Sequence, residues 1–209
     1  MLLDGALRAT FRNLSTLFLL VAVVAVPLHL AHAYVFRSVI EMRELRPDIE
    51  TFGPHKLIRG VGRRDFDAAR RSAWGLTALE LALVPLLARA ARRALEVDEG
   101  GGIPTALGSL REMRRAPGVL GALRRSSREG VAIAVLALVV WWLARTVGLI
   151  LSEAVPDPVS FAPVGLVEGA ARALGGALLV GGWAGLAHRL ALADTLPDKA
   201  GREGLSGTT

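Results

Sequence analysis

The stretch NLSTLFLLVAVVAVPLHLAHAYVF, Asn13 to Phe36, decides the fold class of this chain. No charged residue interrupts it, and most of its residues are apolar. At 1.5 Å per residue, a helix over this stretch is roughly 35 Å long, which exceeds the hydrocarbon thickness of about 30 Å. The stretch therefore predicts a helix that crosses a membrane.

Three further apolar blocks follow, separated by arginine-rich stretches. Of the 209 residues, 52% are hydrophobic, and the mean hydropathy of +0.44 is typical of a multi-span membrane protein. We therefore predict an all-α integral membrane helical bundle with four transmembrane helices, in a single domain over 1–193. Glu80 stands at the centre of the second span, which makes a re-entrant segment the alternative there. If that span is re-entrant, three helices cross instead of four. The predicted spans are about 13–36, 72–95, 130–151 and 164–188.

Cysteine and the common catalytic motifs are missing from the sequence. The absence of cysteine excludes disulfides, thiolate metal sites and cysteine nucleophiles. The G-x-S-x-G motif, the Walker loop and the H-E-x-x-H motif are also absent. We therefore predict no catalytic residues, no metal site and no cofactor, and we expect that the protein is not an enzyme.

Basic residues exceed acidic ones, 25 to 19, and they flank the apolar blocks. This placement favours anionic lipid headgroups as the partner over nucleic acid. Other membrane subunits are the second class of partner considered. Among the 25 basic residues only Lys56 and Lys199 are lysine, which indicates a bacterial gene of high GC content. We therefore expect a bacterial inner (plasma) membrane protein.

Arginine asymmetry sets the predicted orientation, because cytoplasmic loops carry an excess of positive charge. The loop SEAVPDPVSFAPVG between the third and fourth spans has no Lys or Arg and is placed outside. Both termini and the segment 96–129 are then cytoplasmic, which agrees with Arg8 and Arg12 before the first span. The loop 37–71, with nine basic and six acidic residues, opposes this assignment.

The segment 96–129 has the composition of a basic amphipathic surface. Pro104 suits a helix start, and Pro117 with Gly118 divides the segment into two halves. Each half mixes apolar residues with arginine, which predicts helices lying on the membrane; a solvated connector is the alternative. The tail 194–209 is polar and is predicted to be disordered. The predicted lipid-headgroup residues are Arg111, Arg114, Arg115, Arg124, Arg125 and Arg128.

Several ionisable side chains fall inside the predicted spans, where each needs a partner or a purpose. Counting residues along each helix places them mainly in the outer half of the bilayer. This depth predicts a Glu80–Arg145 pair, and the spacing of Glu168 and Arg172 predicts an i,i+4 pair. The pairs either fasten the bundle or line a polar pocket that binds an anion or passes protons. The predicted cluster is His29, Glu80, Arg145, Glu168 and Arg172.

The fourth span carries a small residue at every fourth position over much of its length. Such a ridge lets another helix approach closely. The approaching helix belongs either to the same chain, which we favour because a four-helix bundle has surfaces to fill, or to a second subunit. The predicted packing residues are Gly169, Ala173, Ala177, Gly181 and Gly185.

Two other interpretations involve the end of the first span. His29 and His32 lie on one helix face, and together with His188 they suggest a haem or metal site. With four crossings, however, His188 is at the opposite membrane face. Alternatively, Arg8 with Arg12, the apolar run and the Ala31-His32-Ala33 sequence resemble a cleavable signal peptide. The uncharged run continues past that cleavage point to Phe36, which argues against cleavage.

Two short patterns resemble a known family. An A-x-R-x-x-x-F-R-N-L lead (Ala6, Arg8, Phe11, Arg12, Asn13, Leu14) enters the first span, and the P-T-A-L-G-S-L-R stretch, Pro104 to Arg111, precedes the third. This layout is similar to bacterial multi-pass proteins of the glycerophosphoryl diester phosphodiesterase membrane-domain type. The resemblance implies a helical membrane module; those relatives usually have more spans, the catalytic domain is not present here, and no functional residue carries over.

The sequence thus leaves three hypotheses for function. The leading one is a non-enzymatic subunit or scaffold of a membrane assembly. The second is a small transporter or proton-linked permease component that uses Glu80, Arg145 and His29. The third is a respiratory membrane anchor that binds haem or quinone.

Overall fold

A computed structural model describes residues 2–39, 63–153 and 161–203, with side chains over slightly shorter ranges. Nearly all of these residues are helical, and none of them lies in a β-strand. This confirms the predicted all-α class. The central part of the loop 37–71, most of the loop after the third span and the last six residues lie outside the described residues. The helices are α1 Leu2–Arg12, α2 Leu14–Val35, α3 Arg63–Glu99, α4 Ala106–Glu112, α5 Leu120–Arg125, α6 Ser127–Glu153 and α7 Phe161–Glu203, with a 3₁₀ turn at Met113–Arg115.

Four of these helices are long and apolar enough to cross a membrane. They are the helices that contain the four predicted spans, so the chain is a multi-pass membrane protein. The second of them, α3, is continuous for 37 residues, or about 55 Å, although Pro85 lies inside it. A re-entrant segment needs no helix of this length, which favours a complete second crossing. The membrane-crossing candidates are Leu14–Val35, Arg64–Glu99, Ser127–Leu151 and Ala162–Asp194.

Two of the long helices, α3 and α7, extend beyond the predicted spans through polar residues. Helix α3 begins at Arg63 rather than at 72, and α7 continues past 188 to Glu203. The second extension enters the tail 194–209, so the first part of that tail is helical where disorder was expected. Hydropathy marks where a helix leaves hydrocarbon, whereas Ala, Leu and Arg continue a helix into water.

The described chain divides into two compact units, and each long helix contributes one segment to each unit. The first unit comprises Met1–Val21, Val84–Val139 and Gly175–Thr209. The second unit comprises Ala22–Leu83 and Val140–Leu174.

In the first unit, the amino-terminal helices pack closely on α7. A Cβ atom built on Gly185 would lie 3.0 Å from the carbonyl oxygen of Ala6 in α1. One built on Gly181 would lie 2.6 Å from the Leu17 side chain. Ala177, one turn before Gly181, is fully buried. This part of the small-residue face therefore receives helices of the same chain, as the sequence favoured.

In the second unit, α2 continues the same kind of contact with α7. A Cβ atom on Gly169 would lie 2.8 Å from the Cα atom of Val26, and one on Gly165 would lie 3.0 Å from the Cβ atom of Ala33. Ala173 is fully buried. The backbones approach so closely here that only glycine fits without a shift, and this approach brings α2 beside the polar residues of α7.

Candidate functional site

The five polar residues predicted at membrane depth form one continuous network in the second unit. His29 of α2 places its Nε2 atom 2.8 Å from Oε1 of Glu80 on α3. The other oxygen of Glu80 lies 3.4 Å from a terminal nitrogen of Arg172 on α7. Arg172 also donates from Nε to Glu168, one turn earlier, at 3.2 Å. Arg145 of α6 donates to the second oxygen of Glu168 at 2.6 Å.

The network contains the predicted i,i+4 pair but a different partner for Glu80. Glu168 and Arg172 contact each other as their spacing predicts. Glu80 pairs with His29 and Arg172, whereas Arg145 pairs with Glu168, so the predicted Glu80–Arg145 pair is wrong. Residue counting gives the depth of a side chain but not the face of the helix that carries it, and the face decides the partner.

Two further residues of the second unit support Arg172. Its second terminal nitrogen donates to the hydroxyl of Thr77 at 3.3 Å, and its guanidinium carbon lies 4.5 Å from the ring centroid of Trp141. A guanidinium at that distance from an indole face is held by a cation–π interaction. Neither Thr77 nor Trp141 is among the residues predicted from the sequence. The signal was their position, since Thr77 precedes Glu80, and Trp141 precedes Arg145, by one helical turn.

Charge balance allows this network to exist among apolar helices. The two carboxylates match the two guanidiniums, and His29 adds a charge only when it is protonated. His29 is the most buried member, with 8% of its side chain exposed, and Arg145 is the most accessible, with 36% exposed. Unpaired charge at membrane depth is costly. Each carboxylate here has two partners, which lie on two different helices.

The groups of this network can pair charges and exchange protons. Among the described residues, no cluster of His, Asp and Glu is arranged to hold a metal ion. The imidazole of His29 and the carboxylate of Glu80 share a 2.8 Å contact through which a proton can pass. Arg145, the most exposed cation, is the member that an anion would reach first.

The two other histidines that the structure describes, His32 and His188, each have a protein partner. His32 places Nε2 3.4 Å from the carbonyl oxygen of Ala69 in the second unit. In the first unit, Nε2 of His188 lies 2.5 Å from a carboxylate oxygen of Glu99. The Nε2 atoms of these imidazoles thus face a carbonyl or a carboxylate oxygen.

The first unit has a polar junction that sequence reasoning did not identify. Arg12, the last residue of α1, and Asn13, between α1 and α2, both donate to the carboxylate of Asp98 near the end of α3. The amide of Asn13 does so at 2.8 Å. Asn13 also donates to the carbonyl of Ala9, one turn earlier in α1. The junction fixes the point where α1 passes into α2. Its sequence signal was the polar Arg–Asn pair directly before an apolar span.

The six predicted lipid-headgroup arginines are all exposed, and all lie in the first unit. Arg125 pairs with Asp194 at 2.7 Å. None of the six contributes to the network of the second unit.

No protein-family model, no curated protein and no solved structure matches this chain. The similarity to the phosphodiesterase membrane-domain proteins therefore stays a prediction. Fold and site together define the class of protein: a multi-pass, all-α membrane protein with a charge-balanced network among four helices.

Proposed function

We propose that this chain is a non-enzymatic subunit or scaffold of a bacterial inner-membrane assembly, with both termini in the cytoplasm. The observation that carries the proposal is the closure of the network from His29 to Arg145. Each carboxylate has two partners, and each arginine has at least one. A network that is complete within one chain supports a role in holding helices together.

A closed network favours a scaffold because its members have little freedom to serve a substrate. Removal of one partner from a buried ion pair typically destabilises a protein by about 3–5 kcal/mol, since the other charge stays behind. An ion or substrate that broke these pairs on every cycle would need to compensate a cost of that size. A fixed bundle presents its outer surfaces to partner subunits without such a cost.

The proposal is tested by extracting the tagged protein from its native membrane into polymer-bounded discs and measuring particle mass. We expect a defined complex heavier than the 22.1 kDa chain, with one stoichiometric composition. Glu168→Gln, which breaks the network and keeps the shape of the side chain, should lower the yield of that complex. A wild-type particle that contains only this chain and lipid contradicts the proposal.

A proton-linked transporter is the second candidate, and the contact between His29 and Glu80 favours it. The imidazole and the carboxylate touch at 2.8 Å within apolar helices, and chains of such groups carry protons through membrane proteins. In sealed vesicles with an internal pH dye, this candidate requires a proton flux that Glu80→Gln abolishes. The scaffold proposal instead expects no flux above that of protein-free vesicles.

The third hypothesis, a haem- or quinone-binding anchor, has no observation in its favour among the described residues, where the Nε2 atoms of His29 and His188 each lie against a carboxylate. Under the scaffold proposal, protein purified from cells supplied with haem shows no Soret absorption band. A stoichiometric band that disappears with His29→Leu would establish the anchor instead.

A further inference from the structure

The segment that connects α3 and α6 is attached to the first unit rather than projecting from it. The hydroxyl of Thr16 lies 3.3 Å from the carbonyl oxygen of Pro104, and Arg93 donates to Glu112 at 2.7 Å. Val119 and Ala116 are buried. We call residues 103–128 the connecting segment. Because its inward side is fixed, the side chains that face outward have defined positions.

Three large apolar side chains of the connecting segment face away from the protein. Ile103 is 90% exposed, Leu107 is 61% exposed and Leu120 is 57% exposed. They lie between the end of α3 at Glu99 and the start of α6 at Ser127, which are the ends of two membrane-crossing candidates. At that level apolar side chains reach the boundary between headgroups and acyl chains.

The same segment presents positive charge that the carboxylates of the described residues leave largely unpaired. Five of its six arginines have no carboxylate within ion-pair distance among the described residues; the sixth, Arg125, pairs with Asp194. The one carboxylate of the segment, Glu112, is engaged by Arg93 of α3. The free guanidiniums belong to Arg111, Arg114, Arg115, Arg124 and Arg128.

We propose that the connecting segment is a docking surface for anionic phospholipids. The free arginines bind lipid phosphates, and Ile103, Leu107 and Leu120 enter the acyl boundary. Guanidiniums suit this task because their planar fork donates two hydrogen bonds to phosphate oxygens. Nucleic acid would satisfy the arginines but would leave the apolar side chains in water, so a lipid surface fits both halves of the pattern. The inference concerns the first unit and stands independently of the scaffold proposal.

The charge component is tested by native mass spectrometry of the full chain in detergent, titrated with phosphatidylglycerol or phosphatidylcholine. Wild type should bind phosphatidylglycerol more tightly. The variant with Arg111, Arg114, Arg115, Arg124 and Arg128 all changed to Gln should lose at least about tenfold in that affinity, since each basic residue near an anionic surface contributes measurably. These side chains are exposed, so the helical content by circular dichroism should stay unchanged.

A control variant changes three exposed arginines outside the segment, Arg8, Arg70 and Arg71, to Gln. It should retain the affinity of wild type for phosphatidylglycerol. Equal affinity of wild type for the two lipids overturns the inference. So does an equal loss in both variants, because that result reflects net charge rather than a surface.

The apolar component is tested by spin labels, which the cysteine-free sequence makes specific. Ile103→Cys, Leu107→Cys and Leu120→Cys are labelled one at a time in nanodiscs that contain phosphatidylglycerol. Their nitroxides should collide more with oxygen and less with a water-soluble nickel chelate than a label at Arg115→Cys, which stands at headgroup level. Labels at the three apolar positions that are no deeper than the Arg115 control overturn the inference.

Discussion

Arg172 contacts two carboxylates, the hydroxyl of Thr77 and the face of Trp141. In the network it links Glu80 to Glu168, which share no other cation. Its contacts therefore join side chains from α3, α6 and α7. At the residue scale, this guanidinium is the group on which the network depends most.

Replacement of Arg172 by Gln should destabilise the folded protein by about 3–5 kcal/mol, because two partly buried carboxylates within apolar helices lose a counter-charge. Arg145→Gln is the matched control. Arg145 is more exposed and contacts one carboxylate, which keeps Arg172, so its loss should be at most about half as large. Unfolding of purified protein in micelles, followed by circular dichroism against denaturant, measures both. Equal losses would show that Arg172 has no special position.

His29 should be replaceable by a hydrogen-bonding side chain but not by an apolar one. His29→Leu leaves one oxygen of Glu80 without its partner and should cost about 1–3 kcal/mol. His29→Gln offers an amide donor to the same oxygen and should lose much less. His32→Leu is the control, because its contact with Ala69 is long, at 3.4 Å. Thermal unfolding midpoints in detergent rank the variants. The hypothesis requires that His29→Leu unfold at a lower temperature than His29→Gln.

Which residues belong to the network could be predicted from the sequence, whereas their pairing could not. A charged residue inside an apolar run stands out because it is costly there, and this identified all five members. Pairing depends on how each helix is rotated about its axis. Rotation is set by packing contacts such as those of Gly169 with α2, and a single sequence does not reveal them.

At the element scale, α7 is shaped by residues that lack side-chain bulk. Gly169 and Gly185 each meet the backbone of a helix from the amino-terminal part of the chain. The periodicity of small residues predicted this face, because small side chains at every fourth position align on one side of a helix. It could not identify the two helices, α1 and α2, that occupy the face.

Gly169→Ala should destabilise the protein by about 1–3 kcal/mol, because the added methyl group would lie 2.8 Å from the Cα atom of Val26 and a backbone has to move. Gly75→Ala in α3 is the control. No atom lies within 4 Å of the Cβ position there, and alanine favours a helix over glycine by up to about 1 kcal/mol. Denaturant unfolding in micelles should move in opposite directions for the two substitutions. The same sign for both would contradict the close contact of α2 and α7.

At the scale of the whole molecule, the number of spans followed from hydropathy, and the described helices agree with it. The division into two units did not follow from the sequence. Every long helix contributes to both units, so no change in composition or linker marks a boundary along the chain. Such a division arises from contacts between distant segments, which a linear pattern does not contain.

The proposed orientation predicts how single cysteines react with a membrane-impermeant maleimide. Arg8→Cys should be protected in intact spheroplasts and should react in inverted vesicles, because the amino terminus is placed inside. Arg70→Cys, between the first and second crossings, is placed outside and should show the reverse pattern. Both sites are exposed and should react fully in detergent. Reaction of Arg8→Cys in intact spheroplasts would show that the amino terminus is outside and would contradict the proposed orientation.

The contact between His29 and Glu80 has a consequence for how the chain is made. A ribosome releases α3, with its carboxylate, before the helix that carries Arg172 exists. Of the two partners that Glu80 has in the finished protein, only the imidazole of His29 has by then been synthesised. We therefore expect His29 to be the hydrogen-bond partner that stabilises Glu80 in the membrane during that interval. The first effect of losing the imidazole would then be inefficient insertion of the nascent chain, and the stability of the completed bundle would suffer second.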